Sequence, residues 1–542
     1  MAGNAPTPTV RSHDLAPSIE PLEPRLLMAG DVLASVACGS LTIAGDAAAN
    51  DIRISQIGVD AAGALTVMVS SGGNSTTING QAAPLVLSGI KRHVMVRLGD
   101  GSDVLSVTGT AVPRNLLIDN GAGDNRVSVM SSQVGGRMEV VNGDGFDLLD
   151  LIGVQVGARL RVDNGAGGSR VMLLSTRIDR GLLLQNADGF DTLMVRAGST
   201  IGGCMNVCNG AGETATWIDG SQVGGGVHVE NLAGRDSFYV VNGSSIGGRM
   251  RLDNGDGDTF TLVDRGRIGG AMAVFNGSGS DVLSMVNGTS VGRLRVSNGD
   301  GGSTTRIVAG EVLGCVVVDA LGGWDNISLL SGSTVAGGVV LRTGTDGAAV
   351  VMDSSSVAGR FKFRSEGDAA SMAVSYSQVG EKLVMRNDTG SIDAAISSAS
   401  LGGLAIRNWE GEAVVGLFDV TVAGRAWIHT GSGDDLVRID DCVFVDTFGL
   451  ATGDGDDVIR IEAGAGGFFS PTTEFHGKTR IRAGAGDDAV TIGAADDPGN
   501  TAEFLTDDVR VVGGDGTDTI DALANDNPGL DAEDLRRFEA VS

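Results

Sequence analysis

Residues 137–158 read Arg137-Met138-Glu139-Val140-Val141-Asn142-Gly143-Asp144-Gly145-Phe146-Asp147-Leu148-Leu149-Asp150-Leu151-Ile152-Gly153-Val154-Gln155-Val156-Gly157-Ala158. Met138 and Val140 alternate with Arg137 and Glu139, a period of two that turns the first pair inward. The same alternation turns Asn142 inward. After the Gly143–Gly145 turn, Leu149, Leu151 and Val156 face the same interior. Gly supplies the positive φ that tight corners need. The stretch therefore predicts one coil of two or three short strands joined by glycine-rich turns.

The coil recurs. The position of Asn142 returns at Leu98, Asn120, Asn164, Asn186, Asn209, Asn231, Asn254, Asn276 and Asn298, then at Ala320, Thr343, Ser365, Asn387, Asn408, Thr430 and Thr452. The step is 22 residues, with an occasional 21 or 23. An apolar marker follows fourteen or fifteen residues later, from Val112, Val134 and Val156 through to Val422. One coil cannot cover its own apolar face, so its neighbours must. Parallel pairing at about 4.8 Å per coil then predicts an all-β rod, a β-solenoid, about 95 Å long for about 20 coils. The period resembles that of right-handed parallel β-helices of the pectate-lyase type, in which inward Asn ladders are known. That resemblance, with the usual right-handed crossover, implies the hand. Stacked Asn amides can satisfy one another coil to coil. Ser132, Thr200, Ser221, Ser245 and Ser356 suggest a second, weaker ladder.

Composition agrees. Of 542 residues, 86 are Gly, only 10 are Pro and 4% are aromatic, which argues against ordinary globular cores. No three-residue period exists, so the chain is not collagen. The net charge of -28 argues against nucleic acid as a partner. No run of about 18 apolar residues predicts a membrane span. The five cysteines form no disulfide framework. Cys204 and Cys208 lie about 13 Å apart along one strand, beyond the roughly 7 Å between Cα atoms that a disulfide bridges. Cys38, Cys315 and Cys442 stand alone.

Five residues after the Asn position an acid recurs in alternate coils: Asp103, Asp147, Asp191, Asp236, Asp281 and Asp325. The coils between carry Asn125, Ser169, Thr214, Thr259 and Ser303. The unit in the middle of the rod is thus a 44-residue double coil. Carboxylates stacked every 4.8 Å would repel by about 1 kcal/mol in water. Alternation doubles the spacing to about 10 Å, near the Debye length at about 0.1 M salt.

The last third abandons the alternation. Asp434-Asp435, Asp454, Asp456-Asp457, Asp487-Asp488, and Asp515 with Asp518 crowd successive Gly-x-Gly turns. Gly513-Gly514-Asp515-Gly516-Thr517-Asp518 and its neighbours resemble half of the calcium nonapeptide of repeats-in-toxin proteins. That resemblance implies calcium, held by Asp434, Asp435, Asp454, Asp456, Asp457, Asp487, Asp488, Asp515 and Asp518. The nine-residue tandem is missing, however, and each coil offers one such turn where calcium takes 6–8 oxygens. No other cofactor is expected.

Near the start, Leu22-Glu23-Pro24-Arg25-Leu26-Leu27-Met28-Ala29 resembles the LEPR-XLL segment of large repetitive bacterial exported proteins, especially of planctomycetes. It implies a secreted or cell-surface location. The chain divides into that segment (1–30), an N-terminal β cap (31–97), regular solenoid (98–460), irregular acidic coils (461–529) and a C-terminal cap (530–542). In the first cap Leu41–Ile43, Asp51–Ile57, Leu65–Val69 and His93–Arg97 alternate like antiparallel strands. In the last, Leu530 to Glu539 reads as a short helix. The insertion at 463–479, with Phe468, Phe469, Pro471 and Phe475, is the best candidate for a local contact site.

The expected function is a non-enzymatic extracellular rod: spacer, surface-layer element, fibre or adhesin. The alternative is a polysaccharide-binding protein, or a lyase or hydrolase of the kind the fold resembles. Such enzymes raise long loops around a cleft, and coil length here hardly varies from 98 to 452. His13, His93, His228, His429 and His476 lack metal spacing. A basic stripe runs outward through Arg137, Arg159, Arg249, Arg293, Arg360 and Arg425, and two residues on through Arg161, His228, Arg251, Arg295 and Lys362. The expected partners are further copies of the chain or a cell-surface glycan.

Overall fold

The computed structural model describes residues 30–73, 76–463, 472–493, 501–522 and 527–541. The chain is a β-solenoid of about 20 stacked parallel turns. Each regular coil has three strands, as in Met138–Val141, Asp147–Ile152 and Gln155–Val156. Each strand pairs in parallel with its equivalents in the coils before and after. Met138, for instance, lies between Leu116 and Leu160, and Val156 between Val134 and Ile178. The alternating residues face one continuous core, where Met138, Val140, Leu149, Leu151 and Val156 are buried.

Corners explain the glycines. Gly145 has φ +136°, and a Cβ there would stand 2.3 Å from the carbonyl oxygen of Gly123 in the neighbouring coil. Gly453, at φ +120°, would meet the Gly431 oxygen at 1.7 Å. No L side chain fits such a stack.

The ends differ from the expectation. Leu41 and Ile43 pair in parallel with Val94 and Val96, and Asp51–Val59 pairs in parallel with Val104–Thr108. These segments are a solenoid coil. On their other edges the expected antiparallel pairing is present: Ser40–Ala44 with Asp31–Ala37, and Leu65–Ser71 between Asp51–Val59 and Leu85–Ile90. Val94–Arg97 pairs in parallel on both sides. Alternation shows which side faces inward; it does not show the direction of the neighbouring strand.

At the other end no helix spans 530–539. A 3-10 turn at Ala532–Asp534 leads into Leu535–Arg536 and Ala540–Val541, which pair in parallel with the last coil. A strand satisfies the open edge's N–H and C=O groups, which a helix would leave bare.

Phe475 is not a surface contact residue. It is 1% exposed and stacks between Phe444 (5.2 Å, 10°) and Phe504 (4.9 Å, 9°) inside the core. It continues the column of the apolar marker, Val422 to Phe444 to Phe475 to Phe504. Phe468, Phe469, Pro471 and the LEPR-XLL-like residues 22–28 lie outside the described residues.

Candidate metal centre and the inward polar columns

Three polar columns run inside the rod. The first is the Asn ladder. From Asn120 to Asn298 each Nδ2 donates to Oδ1 of the Asn in the next coil, at 2.5–3.0 Å. Beyond it the role passes to side chains that bond backbone: Asn408 Nδ2 donates to the Gly411 carbonyl and Thr430 Oγ1 to that of Thr452.

The second column is the hydroxyl ladder, and its register corrects the expectation. Ser132 and Ser221 belong to it, but Thr200, Ser245 and Ser356 stand one residue too far along and turn outward. Their places are taken by the buried Ser199, Ser244 and Ser355. Here an Oγ accepts a backbone N–H from the preceding coil, as in Thr110 N to Ser132 Oγ (3.0 Å) and Thr176 N to Ser199 Oγ (3.0 Å).

The third is the acidic column. Asp147, Ser169, Asp191, Thr214, Asp236, Thr259, Asp281, Ser303 and Asp325 form one register line. The acids are buried, at 0–3% exposure. The residues between them do more than dilute charge. Ser169, Thr214, Thr259 and Ser303 each donate a hydroxyl to the following Asp, at 2.6–2.7 Å. Asn125 does its work differently: its Nδ2 donates to the Gly121 and Gly123 carbonyls, and its Oδ1 accepts from Asp103 N. Burial pushes Asp103, Asp147, Asp281 and Asp325 up to about 6, against hydrogen bonds donated by Asn50, Asn125, Thr259 and Ser303 respectively, which pull down. Asp191 and Asp236 are raised for the same reason.

The sequence-predicted metal residues split into two rows. Asp435, Asp457, Asp488 and Asp518 are 0–2% exposed and continue the acidic column, now in consecutive coils. Asp434, Asp454, Asp456, Asp487 and Asp515 are exposed on the outside of the turns. In the inner row each Oδ1 accepts a backbone N–H from the coil before: Ala413 to Asp435 (2.7 Å), Asp435 to Asp457 (2.8 Å), Asp457 to Asp488 (2.9 Å) and Asp488 to Asp518 (3.1 Å). Their Oδ2 atoms are buried with no hydrogen-bond partner. Burial, with the neighbouring acids, raises Asp435 and Asp457 to about 6 and Asp488 to about 7. In the outer row Asp434 and Asp456 likewise cap N–H groups of the next coil. The donor chemistry suits a hard cation. Among the described residues no group of three His, Cys, Asp or Glu is gathered in a metal-holding arrangement.

Other sequence candidates are dispersed. All five cysteines are free, with Cys442 buried. His228 pairs with Asp253 (2.9 Å) and His476 with Glu474 (2.8 Å), each at its own coil. Part of the basic stripe is neutralised: Arg137 meets Glu139, Arg161 meets Asp163, Arg251 meets Asp253 and Arg295 meets Asp319. Among the described residues, no helix is long and apolar enough to cross a membrane. Comparison with protein-family models, curated proteins and solved structures finds no match.

Proposed function

We propose that the chain is a non-enzymatic extracellular scaffold, a rod that serves by its length as a spacer, surface-layer or fibre element. One observation carries the reading: the acids that recur along the solenoid are turned into the rod, where they hold backbone N–H and hydroxyl groups. Acids so used cannot line a cleft as a general acid and base, which must reach a substrate. Regular coils from 98 to 452 raise no long loops. The LEPR-XLL-like segment supports an exported location, and with it a bacterial cell surface. Fractionation of source cells tests the reading. The chain is expected in the medium or the surface extract; recovery in the cytoplasm would overturn it.

A second reading concerns calcium at the acidic end. It is favoured by the four consecutive buried carboxylates, each with an unpartnered oxygen and no Ser or Thr between them. Asp435, Asp457, Asp488 and Asp518 would hold the ion, with the outer Asp434, Asp454, Asp456, Asp487 and Asp515 nearby. A bound cation would supply charge neutralisation between coils. Calcium is then expected to raise the melting temperature and EGTA to lower it. A melting temperature indifferent to both removes stabilising calcium.

A further inference from the structure

One stretch of the outward face departs from the rest of this acidic rod. In four consecutive coils a line of side chains runs Lys362, Val384, Ala405, Trp427. Val384 and Ala405 are short, so the line sinks into a trough between the taller ends. One rail of the trough is Arg364, Arg386 and Arg407, again in register. The other is Arg360 and Lys382, with Arg425 at its far end, one coil beyond Gly403. The trough has a volume of about 450 Å³. Trp427 is 49% exposed, its ring lying over Gly449, where any side chain would displace it.

The charges are only partly answered. Arg364 and Arg386 share Asp388 (2.8 and 2.7 Å), and Arg364 also meets Glu366. Arg407 lies 3.7 Å over the ring of Trp409. Arg360, Lys362, Lys382, Arg407 and Arg425 have no carboxylate within 4 Å among the described residues. Burial, with Arg360 and Arg425 beside it, lowers the Lys382 pKa. Asp446 feels Arg425 without closing an ion pair. Along this face some other cations have partners, Arg342 with Asp319, Arg251 with Asp253 and Arg480 with Asp508. Arg159, Arg249 and Arg293 are unpaired among the described residues too, but there the second rail and the exposed indole are missing.

We propose that this trough binds a linear anionic polysaccharide, laid along the rod axis between the two cationic rails with a sugar ring against Trp427. Between them the two rails place a cation in each of the four coils, spaced about 4.8 Å per coil, so a chain with charges along its length meets a cation at every coil. Guanidinium groups match carboxylate and sulfate in a fork geometry. The apolar floor and the flat indole suit the C–H face of a sugar. Nucleic acid fits less well. Its charge density meets the strongest repulsion from a chain of net charge -28, and single strands stack on successive aromatic platforms, where this floor has one.

The groove adds a ligand to the scaffold reading and rests on it only for where the ligand is met. Loss of the groove would leave the scaffold standing; a cytoplasmic chain would remove the scaffold and leave the affinity measurable. The test uses the full-length chain with dextran sulfate, carboxymethyl dextran and neutral dextran, by calorimetry at low and high salt. Both anionic polymers are expected to bind, more weakly at high salt, and neutral dextran not to bind. Lys382→Glu with Arg425→Glu is expected to weaken binding at least about tenfold, and Trp427→Ala to weaken it severalfold at both salts. Arg249→Glu with Arg293→Glu, upstream on the same face, should leave it unchanged. Circular dichroism checks each fold, and Trp427→Ala, a surface change, decides if the double variant misfolds. Any one of four results overturns the proposal: no binding at low salt, equal binding of neutral dextran, undiminished binding by folded groove variants, or tighter binding of a single-stranded oligonucleotide.

Discussion

Thr259 Oγ1 donates to Asp281 Oδ1 across one coil boundary at 2.7 Å, inside the rod. The carboxyl is buried, and burial holds its pKa at about 6, well above its usual value. The folded state therefore binds a proton between about pH 4 and 6 that the unfolded chain has released. Stability from this group is fully present below the unfolded value and is lost as pH rises through about 6. Asp103, Asp147 and Asp325 act in the same sense. The rod is expected to melt higher at pH 5 than at pH 7.5. Asp253 opposes this: burial raises it, but bonds from Arg251 and His228 prevail and hold it low, so its contribution is lost only as pH falls through that lowered pKa.

Asn125 already occupies the acidic column, with its amide on two turn carbonyls. Asp281→Asn is therefore expected to fold and to gain about 1–3 kcal/mol at pH 7.5, with little gain at pH 4.5. Urea unfolding at the two pH values checks it. An equal effect at both would show that the carboxyl does not titrate in the fold.

Asn209 sits mid-ladder, accepting from Asn186 and donating to Asn231 at 2.7 and 2.6 Å. Asn209→Ala leaves the half-buried Asn186 Nδ2 without its acceptor and the buried Asn231 Oδ1 with only a long contact from Thr214 Oγ1 (3.5 Å), at about 1–3 kcal/mol for an unsatisfied group. A loss of at least about 2 kcal/mol is expected in urea unfolding. Because stability in stacked repeats is local, hydrogen exchange should rise most in the coils around 186–231.

Phe475 stacks between Phe444 and Phe504. Phe475→Ala is expected to lose about 3–5 kcal/mol and to open the coils after residue 461 to limited proteolysis. The coils between 98 and 430 should stay resistant. Uniform susceptibility would mean that the end is not a separable stack.

Much of this was legible in the residues, and for a physical reason. A fixed repeat stacks like on like, so spacing alone placed Asn142 beside Asn164 and Val134 beside Val156. The alternation of Asp with Ser, Thr or Asn was visible too. Its use as a donor–acceptor pair was not, though each intervening residue from Ser169 to Ser303 carries a hydroxyl. Ser199 and Thr200 are neighbours with the same chemistry, and only the turn geometry decides which points inward. Phe475 follows an insertion that hides the period: 31 residues separate it from Phe444, so its column is broken on paper and continuous in space. Lys362, Val384, Ala405 and Trp427 keep the step but share no residue type. A trough made by short side chains between long ones leaves no motif.

The central claim is that this rod works outside the cell as a scaffold. Immunogold electron microscopy of intact, unpermeabilised source cells tests it most directly. Label on the cell exterior, with purified protein forming rods about 95 Å long, is the expected result. Label confined to the cytoplasm, appearing only after permeabilisation, would contradict it.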